Sequence, residues 1–100
     1  MMRRMEKQIE AYFIRSVSQR LKGRAYKFVS PANRGVADRI VCLPDGSTWF
    51  VELKAPGGRL SPLQDVFADE MRALQQNYTV LWSKEQVDKW ITEREYGFAA

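Results

Sequence analysis

Residues 38–54, DRIVCLPDGSTWFVELK, contain two β-rich segments on either side of Pro44-Asp45-Gly46. Proline at the second position of a type I turn, followed by glycine in the left-handed region, is typical of a three-residue hairpin loop with a bulge. This loop sets Leu43 opposite Ser47. The sequence therefore predicts an antiparallel hairpin whose register is fixed by its turn.

The same register places the carboxylates of Asp38 and Glu52 directly across from each other, with Cβ atoms roughly 4.5–5.5 Å apart. Opposed like charges destabilise a sheet, so we expect a cation between them. Hard oxygen ligands, including a backbone carbonyl such as that of Leu53, suit Mg²⁺ or Mn²⁺. Because side chains alternate along a strand, Lys54 emerges on the face of Glu52, where its ammonium can hold a water or a phosphate.

Hydrophobic spacing and capping signals outside the hairpin predict the remaining elements. They are a helix over 5–22, a strand over 25–30, the two hairpin strands, a helix from Ser61, a strand over 78–82 and a helix after Ser83. The order is α-β-β-β-α-β-α. A hairpin followed by a crossover helix and another apolar strand indicates an α/β fold with a mixed β-sheet flanked by helices.

Several local details accompany these elements. Gly23 is the expected C-cap of the first helix, and Ser61 with Gln64 forms a capping box at the second. Cys42, in an apolar run, is expected to be a small core residue. The predicted apolar stripe of the second helix consists of Leu63, Phe67, Met71 and Leu74.

Composition excludes several classes of site. The 100 residues contain no histidine and one cysteine, which excludes His-based catalysis, zinc sites of the Cys/His type and an intrachain disulfide. Any metal must be held by oxygen. No run approaches the ~18 apolar residues of a membrane span, so we expect one cytoplasmic domain over residues 1–100 and no membrane partner.

Charge is distributed unevenly along the chain. Residues 1–50 carry ten lysines and arginines against four acidic residues, whereas residues 51–100 carry six against eight. Such an excess is typical of a surface that binds a polyanion, although solvation of the first helix explains part of it. A chain of this size buries only roughly 60–70% of its unfolded surface, so oligomerisation is also possible.

Three stretches of this sequence resemble one nuclease family. They are EKQIEAYF (6–13), YKFVSPANRGVADRI (26–40) and FVELKAPGGRLSPLQ (50–64). On these stretches the chain is identified as similar to a stand-alone VRR-NUC (virus-type replication-repair nuclease) domain, a branch of the PD-(D/E)XK nuclease superfamily. It departs from the family pattern at Ala37, where a proline is usual. The resemblance implies a restriction-endonuclease-like core, in agreement with the element order.

The resemblance also implies roles for particular residues. Asp38 and Glu52 would be the metal carboxylates and Lys54 the catalytic lysine. A glutamate from the first helix would complete the acidic cluster. Both Glu6 and Glu10 suit its spacing; we prefer Glu10 as a catalytic and metal residue. Gln64 matches a glutamine of many relatives, but its capping-box role explains it equally well.

Basic residues around the acidic pair are candidates for binding the phosphate backbone of DNA without reading its sequence. These candidates are Arg34, Arg39, Lys27 and Arg59. Arg34 is the strongest, because the loop over 31–35 presents it beside the predicted metal site.

The expected function is that of an Mg²⁺- or Mn²⁺-dependent endodeoxyribonuclease. The resemblance implies a homodimer that cleaves Holliday junctions in branched double-stranded DNA, in the recombination or repair of phage or bacterial DNA. The alternatives are a flap or nicking endonuclease, a subunit of a larger prophage system and a non-cleaving nucleic-acid-binding module. Sequence leaves open the preferred DNA structure, the number of metal ions and the dimer interface.

Overall fold

The computed structural model describes the backbone of residues 2–99 and the side chains of residues 2–97. The elements are α1 (Met2–Leu21), β1 (Arg24–Lys27), β2 (Arg39–Cys42), β3 (Thr48–Leu53), α2 (Pro62–Ala73), β4 (Tyr78–Leu81) and α3 (Lys84–Ala99). This order confirms the predicted α-β-β-β-α-β-α arrangement. None of the helices described between residues 2 and 99 combines the length and apolar character needed to cross a bilayer.

The four strands form one mixed sheet in the order β1-β2-β3-β4. The first two pairs are antiparallel, and β4 lies parallel to β3 after the crossover through α2. The hairpin register is confirmed, since Arg39 pairs with Val51 and the Leu43 N–H donates to the Ser47 carbonyl at 3.0 Å. Gly46 closes the loop with φ +88°, as the turn type requires. A local turn signal thus fixes the relative position of β2 and β3.

The main core lies between one face of the sheet and the pair α1 and α3. Burial of these side chains provides most of the driving force for folding. The buried apolar residues of this cluster are Ile9, Phe13, Val17, Leu21, Val41, Leu43, Val51, Leu53, Leu81, Val87, Trp90 and Ile91.

Helix α2 covers part of the opposite face through an aromatic cluster. The Phe67 ring lies 5.9 Å from that of Phe50 and 6.0 Å from that of Tyr78. Phe28 also contacts Phe50, at 5.9 Å. These contacts place the start of α2 beside the end of β3 that carries Glu52.

The face of α2 that packs inward differs from the predicted one. Ala68 and Met71 are buried, whereas Leu63 and Leu74 are 49% and 59% exposed. Gln64, rather than Leu63, points toward the sheet and bonds Glu52. The prediction is confirmed for Phe67 and Met71. It was wrong for Leu63 and Leu74, since the polar Gln64 takes the inner position in the first turn.

Two further details also differ from expectation. Cys42 is exposed, not part of the core, since it lies on the α2 side of the sheet at the hairpin end, away from the aromatic cluster. The left-handed residue that ends α1 is Lys22, with φ 56°. Gly23 follows it and donates its N–H to the Val17 carbonyl at 3.2 Å. A Cβ at Gly23 would meet the Cys42 carbonyl oxygen at 2.7 Å, so glycine is required there for close packing.

Candidate active site

Two carboxylates meet at the end of the hairpin farthest from its turn. Asp38 immediately precedes β2, and its Oδ2 accepts the backbone N–H of Leu53 at 2.9 Å. Glu52, on β3, is only 1% exposed. The Leu53 side chain lies in the core, so its backbone alone takes part in this arrangement. The register predicted from the turn therefore brings Asp38 and Glu52 together.

A third carboxylate comes from α1, and it belongs to Glu6. Oxygen atoms of Glu6, Asp38 and Glu52 all lie within 4.8 Å of one another; we call this group the acidic cluster. Glu10 lies outside it, because its Oε2 accepts the Arg39 Nε–H at 2.8 Å in an ion pair. The geometry thus places Glu6, and not the preferred Glu10, in the acidic cluster, while the catalytic role of either glutamate stays a prediction.

The reason is the position of α1 along the sheet. Both glutamates satisfy the spacing to the apolar stripe, but Glu6 lies about 6 Å nearer the start of the helix, at 1.5 Å of rise per residue. The Arg39 side chain, at the start of β2, forms an ion pair with Glu10. Glu6 extends one turn beyond that point and reaches the end of the strands.

Lys54 supplies the positive charge beside the cluster. Its Nζ lies 3.7 Å from Glu52 Oε2, and its side chain is 14% exposed. The Lys54 backbone N–H donates to the Leu81 carbonyl at 3.0 Å, which continues the pairing of β3 with β4. Strand alternation places Lys54 on the side of Glu52, as predicted.

Gln64 serves two structures at once. Its Oε1 accepts the Ser61 N–H at 2.8 Å, while its backbone N–H donates to Ser61 Oγ at 3.2 Å, which completes the capping box. Its Nε2 donates to Glu52 Oε2 at 2.9 Å. The capping and site interpretations of Gln64 are therefore compatible, because the two ends of one amide serve them separately.

Burial and mutual repulsion raise the pKa values of the cluster. Burial, followed by the charge of Asp38, raises the pKa of Glu52 to about 8, against the lowering effect of Lys54. Burial also raises the pKa of Asp38 and that of Glu6. A single lysine thus compensates three crowded carboxylates incompletely, and hard oxygen donors in this arrangement fit a divalent cation.

Comparisons with known proteins relate the chain to nucleases. No family model matches the chain. Over 59 residues, the chain is 51% identical to "Putative nuclease p44" of Acyrthosiphon pisum secondary endosymbiont phage 1. That alignment covers 59% of this chain and 62% of the phage protein. A solved structure described as a VRR_NUC domain superposes with a TM-score of 0.79 at 28% identity, covering 88% of this chain and 95% of that one. The resemblance is confirmed: the chain has the fold of a VRR-NUC domain.

The basic residues grouped from the sequence have different surroundings in the structure. Arg34, Lys27 and Arg59 are exposed. None of the three forms an ion pair among the side chains described up to residue 97. Arg39 is 16% exposed; besides its pair with Glu10, it donates to the Ala25 carbonyl at 3.3 Å. The structure therefore separates Arg39 from the three exposed cations.

Gly35 is a further residue beside the candidate site, and sequence reasoning gave it no role of its own. It has φ +87°, and a Cβ there would lie 2.4 Å from the backbone of Leu63. This contact lets the loop that carries Arg34 pack against the first turn of α2, next to Gln64. The sequence signal was the Arg34-Gly35 pair, since glycine often marks close backbone approach.

Proposed function

We propose that this domain is a metal-dependent nuclease that hydrolyses phosphodiester bonds in DNA. The observation that carries the proposal is the acidic cluster with the Lys54 ammonium 3.7 Å from Glu52. Buried, opposed carboxylates are costly to a fold unless they bind something. Their number and chemistry favour a cation, and the adjacent lysine favours an anionic substrate.

Asp38, Glu52 and Glu6 would hold Mg²⁺ or Mn²⁺, with the Leu53 carbonyl as a further ligand. A bound divalent ion supplies a water of lowered pKa and offsets negative charge on the phosphate. Gln64 holds Glu52 in place through its amide. Lys54 would orient the attacking water or stabilise charge on the phosphate oxygens. Glu10, paired with Arg39, serves instead to neutralise that arginine beside the cluster.

The DNA backbone would lie along the exposed cations around the cluster. Arg34 and Arg59 stand in the loops that precede β2 and follow β3, and Lys27 is the ladder partner of Arg39 at the start of β2. Contacts of this kind fix the position of a duplex without reading its sequence. Binding weakens as salt rises, and the slope of log K against log[salt] is about −0.9 for each phosphate contact. Removing one contact should therefore make this slope less steep by about 0.9.

The substrate that we propose is branched double-stranded DNA, foremost the Holliday junction, cleaved by a homodimer. An 11.6 kDa chain presents one acidic cluster among its described residues, whereas symmetric cleavage of a junction requires two. Helix α2 exposes Leu63, Val66 and Leu74 on its outer surface, at 49%, 59% and 59%. Exposed apolar side chains grouped on one helix are typical of a protein interface. Such an activity would serve recombination or repair of phage DNA, which fits the source of the similar phage protein.

The first experiment compares four-way junction, flap, nicked and linear duplex substrates with Mg²⁺, Mn²⁺ or EDTA. We expect metal-dependent cleavage of the branched substrates that is lost in Asp38→Asn. The matched control is Asp69→Asn, because Asp69 is exposed on α2 and its carboxylate pairs with Arg72 at the surface. Cleavage in EDTA would contradict the metal role. Binding without cleavage under every condition would favour the non-cleaving module, and preference for flaps or nicks would replace the junction assignment.

The second experiment tests the dimer by light scattering during size exclusion. We expect a mass near twice 11.6 kDa, reduced to one copy in Val66→Glu. Gln19→Glu is the control, since it adds the same charge at an exposed position of α1, outside the proposed interface. A monomer that still cuts both strands of a junction symmetrically would exclude the homodimer.

A further inference from the structure

An apolar cavity of about 180 Å³ lies beside the acidic cluster, between the first turns of α1, the loop after β3 and the start of α3. Met5, Ile9 and Pro56 form its apolar walls. Gln8, Lys84 and Glu85 line its polar rim, and all three are exposed. The Lys84 ammonium also lies over the Tyr12 ring, 5.6 Å from its centroid, which holds that side of the rim in place.

This cavity is lined by chain neighbours of the proposed catalytic residues. Met5 immediately precedes Glu6, and Pro56 stands two residues after Lys54. A strand with a phosphate at the acidic cluster would therefore carry its neighbouring sugar and base toward Met5 and Pro56. The chain neighbours of Glu6 and Lys54 therefore contribute to the walls of the cavity.

The lining chemistry suits a flat ring with a polar edge. Methionine, isoleucine and proline contact the faces of bases where proteins unstack DNA. An amide, an ammonium and a carboxylate at the rim offer donors and acceptors to a base edge. A paired base in a duplex is stacked on both faces, so only an unpaired or extruded base can enter such a cavity.

The two flanks of α1 differ in charge, which agrees with phosphates on one flank and a base on the other. Arg3 and Lys7, one turn apart, lie on the other side of Glu6 from Met5. Both are exposed, and neither forms an ion pair within the described side chains. Cations in the first turns of a helix oppose its dipole, so their placement favours an anionic partner on that flank. Phosphates would lie on the side of Arg3 and Lys7, and the base on the side of Met5.

We propose that this cavity binds an unpaired nucleobase of the strand being cleaved and thereby contributes to the preference for branched DNA. The inference rests on the proposed nuclease function and deepens it. It assigns structure selectivity to one side of α1. A base within a continuous duplex is stacked on both faces, whereas a base at a branch point loses stacking on one side and unpairs at lower cost.

The test combines removal of a base with filling of the cavity. The cut position is first mapped on a branched substrate, and each nucleotide on either side is then replaced by an abasic analogue. For the wild type, we expect kcat/KM to fall about tenfold at one position. Gln8→Trp, which fills the cavity from its rim, should lower cleavage of the intact substrate similarly and lose no more activity when the base is removed.

Two further variants distinguish filling of the cavity from other effects of an added tryptophan. Glu85→Trp fills the same cavity from α3, so agreement with Gln8→Trp does not depend on one helix. Gln19→Trp adds the same side chain to α1 at an exposed position outside the cavity and should behave as the wild type. Insensitivity of the wild type to every abasic position, or equal sensitivity of Gln8→Trp and the wild type, would overturn the inference. Failure of the wild type to cleave any DNA would instead overturn the proposed function, and the inference with it.

Discussion

The two halves of α1 contribute to two ionic groups that are built in opposite ways. Near its start, Glu6 joins two other carboxylates with only Lys54 nearby. Toward its end, Arg20 donates to Glu95 at 2.6 Å and to Thr92 at 3.0 Å, while Tyr12 donates to Asp88 at 2.5 Å. In the second group, which we call the α1–α3 network, each charge has a partner.

The carboxyl pKa values of the two groups shift in opposite directions. A hydrogen bond from Arg20 lowers the pKa of Glu95, whereas burial and Asp38 raise that of Glu52 to about 8. Paired charges at a surface add modestly to stability, and unpaired buried ones cost stability. We infer that the α1–α3 network serves the fold and that the acidic cluster serves function at some expense to the fold.

The largest expected effect is on the cleavage rate, and it distinguishes the acidic cluster from the α1–α3 network. Lys54→Ala should lower the cleavage rate by about 10²–10³-fold, because it removes the cation that faces the phosphate. Single-turnover cleavage of the preferred DNA measures this effect, with thermal unfolding as a check on folding. Lys89→Ala, at an exposed position of α3, is the control. If the Lys54→Ala protein is as active as the wild type, Lys54 has no role in the mechanism.

The next prediction distinguishes the two glutamates of α1. Glu6→Gln should weaken Mn²⁺ binding by about tenfold or more, since it removes one oxygen ligand of the cluster. Glu10→Gln should change it little, because Glu10 pairs with Arg39. Calorimetric titration of Mn²⁺ into both variants makes the comparison. Equal losses in the two variants would show that Glu10 also reaches the metal.

This second prediction exposes a limit of sequence reasoning. The hairpin register and the capping box were predictable because residues close in the chain determine them. The choice between Glu6 and Glu10 depends on how far α1 extends along the sheet and on Arg39, a contact made across 29 residues. The exposure of Cys42 likewise depends on how much of the sheet α2 covers. The catalytic roles of the site residues stay predictions.

A smaller effect concerns stability and pH without metal. Because folding raises the pKa of Glu52 from 4.5 to about 8, the folded state holds a proton that the unfolded state releases in this range. The free energy of unfolding should therefore fall as pH rises through that window. Glu52→Gln should flatten this dependence and raise the unfolding midpoint at pH 8 by about 5 °C.

Urea unfolding at several pH values in EDTA checks this prediction. Glu93→Gln, on the exposed side of α3, is the control for loss of one surface carboxylate. If the free energy of unfolding of Glu52→Gln depends on pH as that of the wild type does, crowding in the acidic cluster does not destabilise the fold.

The smallest effect comes from the α1–α3 network. Arg20→Ala should lower the unfolding midpoint by about 3 °C, because it breaks exposed contacts to Glu95 and Thr92. Cleavage should be unchanged, as this end of α1 lies away from the cluster. Differential scanning fluorimetry and the junction assay provide the two readings, and a loss of activity without a loss of stability would contradict the division of roles.

The double use of Gln64 has a consequence for folding. One amide group closes the first turn of α2 with its oxygen and holds Glu52 with its nitrogen. Fraying of that turn therefore removes the amide hydrogen bond to Glu52. If Glu52 binds an ion, as proposed, ion binding and opening of the turn are thermodynamically linked, and hydrogen exchange at the start of α2 should slow when the ion is added.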